Sequence, residues 1–120
     1  MNLKLISIES NGVIRIASEG NITAADFRGE APNPMEGVIG STWANNRVLL
    51  DFEKTDYIDS SGVGWLISTN GDFKRQGGKL IVHSIRPQVR QLLDLLKVGK
   101  VVSLVENEAA ATALVNGGQK

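Results

Sequence analysis

The sequence predicts an α/β fold, in which an N-terminal β-hairpin is followed by βα units that form a mixed sheet with helices packed on it. Two segments of alternating apolar and polar residues flank an Asn-Gly pair near the N-terminus, which is typical of a hairpin. Further along, compact apolar runs alternate with stretches of helical period, as crossovers between parallel strands require. The 120 residues are enough to surround one core, so we expect a single domain over residues 1–120.

The strands follow from these patterns in chain order. Residues 3–8 alternate as a half-buried strand, Asn11 and Gly12 supply the turn, and residues 13–17 form the second strand of the hairpin. Apolar runs without strict alternation are typical of parallel strands covered on both faces. They predict strands at residues 47–52, 79–83 and 100–104.

The longest helix is predicted to begin at Ser60 and to end near Gly77 and Gly78, because glycine is favoured just past a helix C-terminus. One face of this helix is apolar at helical spacing and should pack on the sheet. That stripe comprises Val63, Leu66, Ile67 and Phe73.

Two further helices are predicted near the C-terminus. One begins at Ser84, carries Pro87 in its first turn and stops at Gly99. The other is rich in alanine, is capped by Asn107 and runs to about residue 115. The tail at residues 117–120 should fray.

The segment at residues 19–46 is irregular, because glycines and prolines recur where a βα unit would carry its first helix. We expect a short turn at residues 24–27, a loop, and a weak helix from Pro34 to about residue 44, capped by Asn33.

Composition excludes several classes of function. Thirteen basic and thirteen acidic residues give a net charge of zero, so we expect no nucleic-acid partner and no attraction to an anionic membrane. We also expect no insertion into a membrane. The chain shows no apolar run long enough to span a bilayer and no signal peptide, which predicts a cytoplasmic protein.

The chain also lacks the motifs of an enzyme or a cofactor site. It has no cysteine and one histidine, His83, which we expect at the solvent-exposed end of a strand. No Gly-x-Ser-x-Gly elbow, Walker spacing or calcium loop is present. We therefore expect no catalysis, no cofactor and no metal.

The segment from Asp51 to Leu66 contains the candidate site, because two serines follow an acidic turn where a strand gives way to a helix. A helix N-terminus has unpaired N–H groups and a positive dipole end, so it tolerates a phosphate. The alternative is an ordinary cap, in which Asp59 or Ser60 accepts a hydrogen bond from a helix amide. Local chemistry leaves both open.

Residues 59–64 read Asp-Ser-Ser-Gly-Val-Gly, residues 77–80 read Gly-Gly-Lys-Leu, and a Leu-Leu pair precedes Gly99. With the predicted fold, these motifs resemble the STAS domain of anti-sigma factor antagonists. The hydroxyl residue before the glycine is phosphorylated in that family, so the resemblance implies that Ser61 is the acceptor and Ser60 its capping neighbour. Family members usually have an uninterrupted helix where this chain has residues 19–46.

The resemblance also implies a function and partners. The unphosphorylated protein would bind an anti-sigma factor, which is often also a serine kinase of the ATP-binding, histidine-kinase-like type. A phosphatase would reverse the modification. The alternative is a constitutive adaptor, similar to the STAS subunits of membrane transport assemblies, which has no phosphorylation cycle.

Helical spacing and strand topology suggest which residues surround the acceptor. Ser61 and Trp65 lie one turn apart, so Trp65 is either an interface anchor or is covered by residues 32–43. Loops at the carboxyl ends of parallel strands meet at one edge of the sheet. The residues expected to contact a partner there, or else to serve only in turns and caps, are Asn21, Thr23, Asp56, Asp59, Ser60 and Gly62. The amides of Gly62 and Val63 are expected to hold a phosphate on Ser61.

Overall fold

The computed structural model describes residues 1–27, 29 and 31–117. Its strands are β1 (Asn2–Ile8), β2 (Ile14–Glu19), β3 (Arg47–Lys54), β4 (Lys79–His83) and β5 (Ser103–Val105). Its α-helices are α1 (Pro34–Ile39), α2 (Ser60–Gln76), α3 (Pro87–Leu95) and α4 (Glu108–Gly117). Single turns of 3-10 helix lie at Ala24–Asp26, Trp43–Asn45 and Val98–Lys100.

The strands form one mixed sheet in the order β1-β2-β3-β4-β5. β1 and β2 are antiparallel, and each later neighbouring pair is parallel. Between β1 and β2, Gly12 adopts φ 89°, which glycine reaches at little cost, and the Gly12 N–H donates to the Glu9 carbonyl at 2.9 Å. The predicted α/β architecture with its N-terminal hairpin is confirmed.

The sheet is covered on both faces. Successive residues of a strand point to opposite sides, so one strand contributes to two cores. The larger core lies under α1, α2 and α3 and receives Val48, Leu50 and Phe52 from β3. The smaller core lies under α4 and receives Leu49 from the same strand. This two-sided burial explains the continuous apolar run of β3. No helix in the described part of the chain is long and apolar enough to cross a bilayer.

The helix α2 has the predicted ends, since Gly77 adopts the left-handed conformation at φ 84° and ends the helix there. Its apolar stripe differs at one position, because Ile67 is exposed rather than buried. The predicted caps Asn33 and Asn107 are confirmed: the Asn33 Oδ1 atom accepts from the Met35 N–H at 2.9 Å, and the Asn107 Oδ1 atom accepts from the Ala110 N–H at 2.9 Å.

Several other boundaries were predicted wrongly. Helix α3 begins at Pro87, because Ser84 has φ 58° and cannot start a right-handed helix. Helix α3 ends at Leu95 and not at Gly99, because the chain turns at Lys97 with φ 56°. Residues 98–100 form a separate turn, and β5 starts at Ser103.

Helix α1 ends at Ile39, since Gly40 has φ 90°, and the helix predicted to reach residue 44 is cut short. At the C-terminus, α4 continues to Gly117, and the rest of the tail that we expected to fray lies outside the described residues.

The prediction for His83 is also wrong, because its side chain is buried at 2% exposure and does not lie at a solvent edge. Its Nδ1 atom lies 2.8 Å from the Ser84 hydroxyl. Burial lowers the pKa of His83 below its usual 6.5, although Asp51 and Glu108 nearby favour the charged form.

His83 should therefore make stability depend on pH. The folded protein holds it neutral while the unfolded chain takes up a proton near pH 6.5, so this contribution is lost as the pH falls below that value. Urea unfolding at pH 7.5 and 5.5 should show a smaller loss of stability in His83→Gln than in the natural protein. The difference can reach at most about 1.4 kcal/mol per pH unit. Equal pH slopes in the two proteins would contradict this assignment.

Candidate functional site

Asp59 caps helix α2 and joins it to the turn at Ala24–Asp26. One carboxylate oxygen accepts from the Gly62 N–H at 3.0 Å, and the other accepts from the Ala24 N–H at 3.1 Å. The hydrogen bond from Gly62, helped by those from Ala24 and Ser61, lowers the pKa of Asp59 below its usual range. Asp59 is thus a carboxylate at neutral pH, and the expectation that Ser60 caps the helix is wrong, because Ser60 is its first residue.

Ser60 and Ser61 are exposed in the first turn of α2. Across the described residues, neither hydroxyl has a hydrogen-bond partner, so each is available to an enzyme or to a docked protein. The acceptor serine implied by the family resemblance is therefore at the surface.

The N–H groups at the start of α2 do not have the role that we predicted for them, which was to hold a phosphate on Ser61. The Gly62 N–H donates to the Asp59 carboxylate, and the Val63 N–H donates to the Asp59 carbonyl at 3.0 Å. Both groups are already paired, so they are not free to hold a phosphate on Ser61. Such a phosphate would project into solvent beside the carboxylate of Asp59.

The loops that follow β2 and β3 meet beside the serines, as predicted from the parallel topology. Ile22 and Ile58 form a parallel bridge, with the Ile22 N–H donating to the Tyr57 carbonyl at 2.9 Å. The Asp59 N–H donates to the Ile22 carbonyl at 3.1 Å. This bridge brings Asn21 to the same edge as Ser61, with its side chain exposed.

Thr23 serves the adjacent turn. Its hydroxyl accepts from the Ala25 N–H at 3.4 Å, and its own N–H donates to Asp26, which is 2.7 Å from the N-terminal amine. Burial alone would raise the pKa of Asp26, but the hydrogen bonds from the amine and from Thr23 outweigh it and hold that pKa low. Thr23 therefore stabilises the turn, which is one of the two roles that the sequence left open for it.

Asp56 lies in the loop between β3 and the serines, and 66% of its side chain is exposed. Its Oδ1 atom is 3.6 Å from the Arg86 Nε atom. Beside it, Tyr57 is 54% exposed. Tyr57 and Arg86 were not predicted as site residues. The sequence could have indicated Tyr57, because it is an aromatic residue in the loop before the serines. The position of Arg86 depends on packing between distant segments, so no local pattern indicates it.

Gly62 is required where α2 passes the loop bridge. A Cβ atom at this position would lie 2.5 Å from the Ile58 Cγ1 atom and 2.8 Å from the Ile22 carbonyl oxygen. These distances are shorter than van der Waals contact, so only glycine allows the helix to start this close to the bridge. Gly62 is buried and supports the site from beneath.

Trp65 is covered rather than exposed, with 8% of its surface accessible. Its ring stacks on Phe27 with centroids 5.9 Å apart, and its Nε1 atom donates to the Asn33 Oδ1 atom at 3.3 Å. The irregular segment folds over the tryptophan, so a free interface anchor at Trp65 is not present, and any contact with a partner would first have to displace that cover.

Asn33 connects this cover to α2, because its Oδ1 atom also caps α1 and its amide donates to the Thr69 hydroxyl at 2.9 Å. Asn33→Ala should lower the free energy of unfolding by about 1 to 2 kcal/mol, as loss of a cap and of partly buried hydrogen bonds does. Asn33→Asp keeps the acceptor and should cost less. Urea unfolding measures both, and equal losses would contradict this role for the Oδ1 atom.

With the site described, comparison with known proteins identifies the family. The sequence pattern of the STAS domain matches residues 7–111. The chain belongs to the STAS domain family. A curated relative, an anti-sigma F factor antagonist of Paenibacillus polymyxa, is 28% identical over 64 residues, which is 53% of this chain. The match spans only 55% of that relative.

Solved structures share the STAS fold. A candidate anti-sigma factor antagonist of Thermotoga maritima superposes with a TM-score of 0.68 at 14% identity, over 96% of this chain and 93% of that one. The Bacillus anti-sigma factor antagonist SpoIIAA in its unphosphorylated form gives 0.63 at 18% identity, over 97% of this chain and 99% of that one. At these identities the comparisons establish the STAS fold.

Proposed function

We propose that this chain is an anti-sigma factor antagonist, which binds an anti-sigma factor through the edge around Ser61 and releases it when Ser61 is phosphorylated. The observation that carries the proposal is the exposed hydroxyl of Ser61, which has no partner in the described residues and lies next to the charged cap Asp59. Two comparisons support the same function: the chain belongs to the STAS family, and its curated relative is named as an anti-sigma F factor antagonist.

Release follows from charge. A neutral hydroxyl can be buried at an interface at little cost, whereas a phosphate adds about −1.5 to −2 charges and three acceptor oxygens that the interface would desolvate. The N–H groups of Gly62 and Val63 are paired with Asp59, so they offer the phosphate no binding site under a docked partner. The carboxylate of Asp59 caps the same turn of α2, so its negative charge would add to that of the phosphate at the interface.

Phosphorylation need not alter the fold, because the phosphate on an exposed serine would remain in water. The unphosphorylated and the phosphorylated form of SpoIIAA both superpose on this chain, with TM-scores of 0.63 and 0.62. The proposed switch acts by local repulsion at the rim, where Asn21, Thr23, Asp56 and Ser60 would contact the partner and Gly62 would support it.

The remaining parts of the proposal follow from the family. The partner would be an anti-sigma factor with serine kinase activity, a phosphatase would restore the hydroxyl, and the cycle would run in the cytoplasm. The chain itself would act as a binding module and would catalyse no reaction.

The modification is tested by intact mass spectrometry of the protein from native cells and after incubation with ATP and the cognate kinase. We expect one added phosphate in the natural protein and in Ser60→Ala, and none in Ser61→Ala. Phosphate retained by Ser61→Ala would place the acceptor elsewhere. An unmodified mass under every condition would favour the constitutive adaptor and would overturn the switch.

A further inference from the structure

A cleft of about 280 Å³ lies between the C-terminal half of α2 and the connection from α3 to β5. Of the residues that the structure describes, Lys74, Lys79 and Lys100 line it, and no carboxylate does. The floor is apolar and includes Phe73 and Val102. The cleft lies at the opposite end of α2 from Ser61, about 20 Å away at 1.5 Å per helical residue. It is therefore separate from the proposed phosphorylation site.

The lysines of this cleft lack compensating charges. Among the described residues, none of the three forms a salt bridge, whereas Lys4 and Lys54 both lie within 4 Å of Glu19, at 3.6 and 3.9 Å. The neighbouring carboxylates are already used: Asp72 pairs with Arg75, and Asp94 pairs with Arg90. A chain of net charge zero thus concentrates unpaired positive charge at one place.

Apolar side chains are exposed along the same connection. Leu95 is 74% exposed and Leu96 is 47% exposed at the end of α3, and Val101, which lines the cleft, is 49% exposed. Leu93 in the same turn of α3 is fully buried and packs in the core, so Leu95 and Leu96 are not needed there. These residues belong to the segment that carries Lys100, and exposed apolar residues near charges of one sign are typical of an interaction surface.

We propose that this lysine cleft binds an acidic amphipathic segment of a partner protein. Carboxylates of the segment would pair with Lys74 and Lys100, and its apolar side chains would cover Leu95, Leu96 and Val101. A small anion would leave these apolar residues in water. A membrane surface is flat on this scale and would not enter a concave cleft.

The test uses a fluorescein-labelled peptide of about 18 residues with Glu and Leu at helical spacing, followed by fluorescence anisotropy against the full chain. A second peptide with every Glu replaced by Gln measures the charge contribution. The variant Lys74→Gln/Lys100→Gln removes two positive charges from the cleft. The matched control Lys4→Gln/Lys54→Gln removes the same charge from the far side of the sheet. Leu95→Ser/Leu96→Ser tests the apolar contribution, and anionic lipid vesicles test a membrane.

We expect saturable binding of the acidic peptide with a Kd below about 100 µM, weakened about tenfold by Lys74→Gln/Lys100→Gln and hardly changed by the control variant. Leu95→Ser/Leu96→Ser and the Gln peptide should also bind more weakly. Circular dichroism of each variant establishes that it is folded. The proposal is overturned if the peptide does not bind, if the two lysine variants bind it equally, or if the vesicles bind and the peptide does not.

Discussion

Replacing Gly62 with alanine is expected to lower the free energy of unfolding by about 2 to 3 kcal/mol. The added methyl group would lie 2.5 Å from the Ile58 Cγ1 atom and 2.8 Å from the Ile22 carbonyl oxygen. Ile22 and Ile58 are fully buried or nearly so, and the carbonyl belongs to the bridge, so neither can move away cheaply. This loss outweighs the gain of about 1 kcal/mol that alanine has over glycine inside a helix.

Gly64 is the matched control in the same helix. It is exposed, and a Cβ atom there would meet no other group within 4 Å. Gly64→Ala should therefore stabilise the protein by up to about 1 kcal/mol through helix propensity. Urea unfolding of the two variants should move the midpoint in opposite directions. A similar shift in both would contradict the close approach of α2 to the bridge.

Much of the fold could be predicted because its signals are local. The hairpin follows from Asn11 and Gly12, the strand β4 follows from an apolar run, and the end of α2 follows from Gly77. The edge that holds Ser61 could be predicted as well, since parallel strands place the loops after β2 and β3 together.

Features that depend on contacts between distant segments could not be predicted. The cover on Trp65 comes from Phe27 and Asn33, more than thirty residues away along the chain, and no local pattern specifies it. The burial of His83 depends on what packs against the end of β4. Helical periodicity also placed Ile67 on the buried stripe, although the packing of α2 leaves it exposed.

One error about the site was avoidable. Asp59 precedes the serines at the position where a carboxylate caps a helix best, and a capping carboxylate uses the same amides that were expected to hold a phosphate. The two roles compete for the N–H group of Gly62, while the N–H group of Val63 is used by the first backbone hydrogen bond of the helix. The sequence therefore contained the reason why a phosphate on Ser61 should remain in solvent.

Phosphorylation of Ser61 is expected to have the largest effect on binding. Burying an unpaired charge at an interface costs about 2 to 5 kcal/mol, which is a loss of about 30-fold to several thousandfold in affinity for the anti-sigma factor. Thermal stability should change little, because Ser61 is exposed and the first-turn amides keep their bonds to Asp59.

Ser10 provides the control for this prediction. It is exposed in the turn between β1 and β2, which lies at the opposite edge of the sheet from the loops that flank Ser61. Phosphoserine at residue 10 adds the same charge to the chain and should leave affinity nearly unchanged. An equal loss from both sites would indicate a general effect of net charge instead of a local one.

The most direct test is the dissociation constant of the purified anti-sigma factor for the chain with serine or with phosphoserine at residue 61, measured by isothermal titration calorimetry. We expect the phosphorylated chain to bind at least about 30-fold more weakly while its melting temperature stays the same. Equal dissociation constants for the two forms would contradict the proposal that this hydroxyl controls binding.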